Sequence, residues 1–209
     1  MSENLWELEH EVMARGFRAI CGCDEAGAGP LAGPVYAAAV ILPEDLMLPW
    51  LNDSKQVTPK RRDILFDQIK ERAVAWAVAS IDAREIDELD ILNARIKAMQ
   101  VAIDALSVKA DYALIDGNRD HGSRCAIITD HETVIKGDSR SASIAAASIL
   151  AKVSRDRYME EMDRLYPQYQ FAKHKGYSTK LHYEMLDKFG PSPIHRRSFL
   201  VKWEARRHG

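Results

Sequence analysis

Cysteine is scarce, with Cys21, Cys23 and Cys125 the only three in 209 residues. An odd count cannot close a disulfide framework, and no further ligands surround the Cys21-x-Cys23 pair at zinc spacing, so neither staple is expected. At strand spacing this pair places both thiols on one face, and all three cysteines read as small buried hydrophobes in a reducing cytoplasm. Long hydrophobic runs are missing as well. The longest strictly apolar stretch, Val35 to Leu42, has 8 residues, against the ~20 of a membrane-spanning helix. Met1 to Glu11 is acidic and does not read as a signal peptide, which points to a cytoplasmic location without a membrane partner. Neither sign of charge dominates, with 29 Lys+Arg against 31 Asp+Glu. No repeat, low-complexity tract or flexible linker appears. What is present, 46% apolar and 29% charged residues, is ordinary for one folded domain, or one domain with a smaller appendage.

The charge is unevenly placed. Residues 1–150 carry 16 basic and 24 acidic side chains, whereas residues 151–209 carry 13 and 7. An acidic body with a basic end suits a polyanion gripped at that end, although a solvated helical surface would look the same.

Hydrophobic periodicity lays out the elements. Arg18 to Cys23 opens a strand, Asp24 to Pro34 is a Gly/Pro-rich loop, and Val35 to Leu42 is a buried strand antiparallel to the first. Thr58-Pro59 starts a helix with Thr at the N-cap and Pro at N1, running to about Arg72. Val74 to Ile81 is a third strand. Asp82 and Glu85 imitate a capping box, and Leu92, Ile96, Met99, Ile103 and Leu106 recur at helical steps. Tyr112 to Ile115 and Thr133 to Ile135 are the fourth and fifth strands. Ser141 to about Leu165 is helical, with Ala145 to Ala147 allowing close packing on a sheet, and helix and loop follow. This order predicts an α/β fold, a mixed five-stranded sheet flanked by helices.

Four carboxylates fall at strand ends: Asp24 and Glu25 where the first strand meets the Gly-rich loop, Asp116 after the fourth strand, and Asp138 after the fifth. If the strands are neighbours, these anions share one sheet edge, where ligand sites of open α/β sheets lie. Clustered anions need a cation, and an all-oxygen set selects Mg²⁺ or Mn²⁺. Singly, Asp-Gly turns are common and each carboxylate has a plainer explanation. Gly27-x-Gly29-x-x-Ala32 also matches a loose dinucleotide-binding pattern. That pattern opens a helix, whereas here Gly33-Pro34 and an extended run follow, and Asp24 and Glu25 would repel a pyrophosphate.

The run Cys23 to Val35, with Asp24-Glu25-Ala26-Gly27-Ala28-Gly29-Pro30 at its centre, resembles the D-E-x-G-R-G-P signature of bacterial ribonuclease HII. Leu51 to Lys55, Ile115 to Asn118, Lys136 to Ser139, Ala145 to Lys152 with Arg155 to Arg157, His174 to Tyr177 and His195 to Phe199 agree in order, so the resemblance covers about residues 18–200. It implies a ribonuclease H-like core over residues 18–165, an N-terminal helical segment at 1–17 and a helical substrate-binding extension at 166–209. It implies an endonuclease that cleaves RNA paired to DNA and cuts 5′ to ribonucleotides embedded in duplex DNA, as a monomer. Asp24, Glu25, Asp116 and Asp138 would hold two divalent ions in an in-line reaction leaving 3′-hydroxyl and 5′-phosphate ends. The resemblance further places the 2′-hydroxyl against the backbone of Gly27, Ala28 and Gly29, a deoxyribose against Tyr177, and phosphates at Ser54 and Lys55, with His174, Lys175 and Arg196 as weaker phosphate candidates. Asp156, inside a helix, reads as structural. Ala28 stands where the family usually has Arg, and Val57 where it often has Leu. The Ala28 departure lends some support to a rival reading, a catalytically impaired nucleic-acid-binding protein of the same fold. The His174 to Tyr177 and His195 to Phe199 motifs disfavour another nuclease, such as a junction resolvase.

Overall fold

The computed structural model describes residues 5–51 and 57–208, the last two as backbone. In chain order the helices and strands are α1 (Glu7–Ala14), β1 (Ile20–Ala26), β2 (Val35–Ile41), α2 (Pro59–Arg72), β3 (Ala75–Ile81), α3 (Ala83–Leu89), α4 (Ile91–Asp104), β4 (Tyr112–Asp116), β5 (His131–Val134), α5 (Ala142–Leu165), α6 (Phe171–His174), α7 (Lys180–Phe189) and α8 (Arg197–His208). Single 3-10 turns at Gly137–Ser139 and Pro167–Tyr169 flank α5.

The strands form one mixed sheet in the order β3-β2-β1-β4-β5, with β1 antiparallel to β2 and parallel to β4. Strand alternation sorts the core into two layers. Cys21, Cys23, Ala37, Ala39 and Ile41 pack with Ile96, Met99 and Ile103 of α4 on one face. Ala38 and Val40 pack with α2 and the alanine run of α5 on the other. The contact of α5 with β1 is tight at Gly22, where a Cβ would lie 2.5 Å from Ser143 O and would overlap the Ile144 amide. Cys21 and Cys23 are free and buried, as expected, and burial pushes the Cys21 thiol up to about 12; Cys125 is only half-buried. Among the described residues no helix is long and apolar enough to cross a membrane.

Several boundaries differ from the sequence reading, most by one residue and some by more. β1 runs on to Ala26, which pairs with Tyr36, so Asp24 and Glu25 lie inside the strand rather than in the loop after it. The helix expected around Leu92 is split by Asp90, whose φ of 74° breaks the chain while its carboxylate accepts from Asn93 N at 2.9 Å to start α4. Asp82 does accept from Glu85 N, but the Glu85 carboxylate turns to Lys97 instead of closing the capping box. β5 begins two residues earlier than expected and ends at Val134, leaving Ile135 exposed. The Thr58 cap stands where the sequence puts it, and the helix expected from Ser141 begins there, with the Ser141 side chain accepting from Ile144 N.

The N-terminal helix is tied to α5 through a buried carboxylate. Glu9 Oε1 accepts from Ser141 Oγ at 2.6 Å and from Ser143 N at 2.9 Å, an anion at a helix N-terminus where the dipole favours it. At the other end, residues beyond Leu165 form a helical extension with two small cores. Ala32 packs with Met159, Met162, Tyr169 and Phe171, and Leu31 with Leu186, Leu200 and Trp203. Leu31 and Ala32 thus anchor the Gly-rich loop against the extension and the end of α5.

Candidate active site

Register decides which carboxylates meet. Cys23 pairs with Ile115 in the parallel β1–β4 ladder, so Asp24 and Asp116 are side-by-side neighbours one step further on. Ile115 lies in the α4 layer and Leu114 in the opposite one, which turns Asp116, like Asp24, toward the α5 face. Asp24 is buried, and its Oδ1 accepts from Glu25 N at 2.7 Å. Ser148 of α5 also bonds to its carboxylate. Asp116 Oδ1 accepts from Gly137 N at 2.7 Å, which joins it to the turn carrying the buried Asp138.

Glu25, one residue after Asp24, faces the other way. Its Oε1 meets Arg95 Nη2 of α4 at 2.6 Å, while its Oε2 is buried without a hydrogen-bond partner. Burial, then the negative charges of Glu25 and Asp116, push the Asp24 carboxyl well above its usual range. Burial raises Glu25 as well, against the lowering pull of Arg95. Glu25 is turned to Arg95, and neither the four carboxylates nor Asp24, Asp116 and Asp138 alone close into a tight cluster. Among the described residues only His10, Glu44 and Asp45 have ligand atoms all within 4.8 Å of one another, and those side chains are largely exposed. The donor chemistry nonetheless fits divalent cations. It is oxygen only, it is mutually repelling where no cation balances it, and Glu25 Oε2 is a buried acceptor without a donor.

The Gly27–Gly29 loop lies two residues beyond Glu25. Gly27 has a φ of 92°, and a Cβ there would strike the Arg155 side chain. The extension's backbone clamps the loop from two sides: Leu31 N donates to Gly176 O at 2.9 Å, Gly33 N to Ile194 O at 2.8 Å, and Arg196 N to Leu31 O at 2.9 Å. Tyr177 stands next to this clamp, 44% exposed, with the Arg155 guanidinium 5.6 Å from its ring centre.

Two of the phosphate candidates are corrected by burial. Arg196 is fully buried and donates to the carbonyls of Gly27, Ala28 and Gly33, which leaves it no surface for a phosphate. His174 is buried too, with Nε2 on Tyr169 O and its ring stacked on His182 at 4.2 Å. Lys175 is half-buried and paired with Glu160 at 2.7 Å. Ser54 and Lys55 lie outside the described residues. Asp156 accepts from Lys152 Nζ within α5 at 2.7 Å.

Sequence reasoning missed Arg95, Ser148 and Arg155. The signal for the last two was available: Ile144, Ser148, Arg155 and Met159 recur at helical steps along the sheet-facing side of α5, so an arginine in that stripe had to be buried. Nothing local marked Arg95 as the partner of Glu25.

A family model described as ribonuclease HII matches residues 21–202. The chain belongs to the ribonuclease HII family. Ribonuclease HII of Caldicellulosiruptor bescii is 49% identical over 198 residues, covering 95% of this chain and 94% of that one. Among solved structures, ribonuclease H2 from Pyrococcus horikoshii superposes with a TM-score of 0.75 at 25% identity, covering 91% of this chain and 99% of that one. A Bst-RNase HIII structure in complex with Mn²⁺ shares the fold at a TM-score of 0.61 and 19% identity, covering 84% of this chain and 64% of that one. The ribonuclease H-like architecture expected from the motifs is therefore the observed one. The chain is a metal-dependent ribonuclease of the family that cleaves the RNA of RNA–DNA hybrids.

Proposed function

We propose that this ribonuclease HII family member, acting as a monomer, cuts on the 5′ side of ribonucleotides, including single ones embedded in duplex DNA, as at the start of ribonucleotide excision repair. The observation that carries the reading is the pairing of Cys23 with Ile115, which sets Asp24 beside Asp116 within a few residues of the Gly27–Gly29 loop. Asp24, Glu25, Asp116 and Asp138 would hold two divalent cations, Mg²⁺ or Mn²⁺. When bound, such a pair supplies a hydroxide at neutral pH and charge stabilisation for the leaving oxygen, giving 3′-hydroxyl and 5′-phosphate ends.

The chain's own residues do the rest. Gly137 N fixes the rotamer of Asp116, and Ser148 and the Glu25 amide fix that of Asp24, so two acceptors are oriented in advance of substrate. The Gly27–Gly29 loop brings bare backbone within reach of a ribose, whose 2′-hydroxyl both donates and accepts. Exposed Tyr177 offers a flat apolar face for the adjoining deoxyribose. No side-chain nucleophile is required.

A labelled DNA duplex with one ribonucleotide, incubated with Mg²⁺, Mn²⁺ or chelator beside an all-DNA control, tests this. Metal-dependent cutting 5′ to the ribonucleotide only is the expected result. Asp24→Asn should abolish cutting while changing duplex binding little; a variant that cuts at the normal rate would remove Asp24 from the site. Cutting of the all-DNA control would refute the assignment to ribonucleotides.

A further inference from the structure

The Gly27 to Pro34 loop rests on two arginines whose hydrogen bonds go to backbone carbonyls rather than to carboxylates. Arg155 Nε and Nη2 donate to Pro34 O and Ala32 O, each at 3.2 Å. Arg196 Nη2 donates to Gly27 O at 2.6 Å, Nη1 to Ala28 O at 2.9 Å and Nε to Gly33 O at 2.9 Å. Between them they hold five carbonyls of the Gly27 to Pro34 segment. Both side chains are buried, and among the described residues neither makes an ion pair. Burying a charge against carbonyls and the rings of Tyr177 and Phe199, with no ion pair, is an expensive way to hold a loop, so the geometry it enforces matters.

A peptide unit is planar, and in the trans form its C=O and the following N–H point in opposite directions; among the described residues no peptide bond is cis. Drawing the Gly27 carbonyl inward onto Arg196 therefore turns the Ala28 N–H outward, and drawing in the Ala28 carbonyl turns out the Gly29 N–H. The positive φ of Gly27 lets the chain enter this arrangement. Among the described residues neither amide donates to another group.

We infer that Arg196 is a positioning residue for ribose recognition: by holding the Gly27 and Ala28 carbonyls inward it aims two successive amides at the 2′-hydroxyl, and so sets the preference for RNA without touching the substrate. The inference rests on the proposed meeting of this loop with the 2′-hydroxyl. The guanidinium suits the task because its rigid planar fork spans three separate carbonyls, which an ammonium point charge on the same backbone cannot do.

The test is the affinity ratio between a one-ribonucleotide duplex and its all-DNA counterpart, measured by fluorescence anisotropy in chelator with the full chain. Wild type is expected to prefer the ribonucleotide duplex by roughly tenfold, the worth of one or two hydrogen bonds. Arg196→Lys should bring the ratio to within about twofold while all-DNA affinity stays nearly unchanged, a split that general loosening would not produce. Retention of the wild-type ratio in Arg196→Lys overturns the inference. Absence of any preference in wild type overturns instead the loop reading beneath it. Should the lysine variant not fold, amide exchange in wild type decides: Ala28 and Gly29 should exchange fast when free and slow only with the ribonucleotide duplex. Protection already present in the free protein, or indifference to which duplex is bound, refutes the positioning role.

Discussion

Acid should loosen the extension well before it protonates most carboxylates, because a chain of neutral histidines lies at its centre. Ser192 N donates to His195 Nδ1 at 2.9 Å, which leaves the His195 proton on Nε2 to meet His182 Nε2, also at 2.9 Å. His182 then carries its own proton on Nδ1 and donates it to Tyr177 O at 2.9 Å. A second proton on His182 Nε2 would face the His195 donor, and both rings are buried. Burial accordingly lowers His182 to about 4, and burial plus the His182 charge lowers His195 to about 3, from an ordinary 6.5. The folded form thus resists protons that the unfolded chain takes up. Stability from these groups is complete above pH 6.5 and is lost as pH falls toward the folded values. Between pH 7.5 and 5 each histidine forfeits about 2 kcal/mol, about 4 kcal/mol for the pair. That is a large share of the 5–15 kcal/mol typical of a domain. Urea unfolding in chelator from pH 8 to 4.5 should show this loss. His182→Gln should flatten the slope by about 1.4 kcal/mol per pH unit below pH 6, one proton's worth. Parallel pH profiles for variant and wild type would refute the reasoning.

Two further expectations follow from single positions. Gly22→Ala should cost about 1–3 kcal/mol by forcing a Cβ against the α5 backbone, where no side chain can give way. Calorimetry would then show a Tm lowered by about 3–10 °C, and an unchanged Tm would mean that α5 does not sit where the geometry puts it. Ala28→Arg restores the residue usual in the family. It should lower KM on a one-ribonucleotide duplex by roughly fivefold and steepen the salt slope by about 0.9 for one added phosphate contact, whereas identical KM and slope would show position 28 to be indifferent.

The strands, the Thr58 cap and the start of α5 were legible in the sequence because each is written in a few consecutive residues: alternation, an N-cap hydroxyl, a turn followed by a run of alanines. Placing the end of β1 at Cys23 instead of Ala26 still mattered. It changed Asp24 and Glu25 from loop neighbours into strand residues on opposite faces, one toward Ser148 and the other toward Arg95. The Asp90 break was hidden because the helical period continues across it, and only the φ of 74° reveals it.

By itself the sequence determined the order of elements, the all-oxygen donor set and the family's motifs, since local periodicity and residue chemistry need no distant partner. The tertiary structure alone decided what each buried polar group answers to. Arg196 reaches Gly27 across 169 positions and Arg155 reaches Pro34 across 121, and His182 finds His195 across a loop. A buried donor must find an acceptor, but nothing in the chain's local pattern says which one, because folding chooses it by proximity in space.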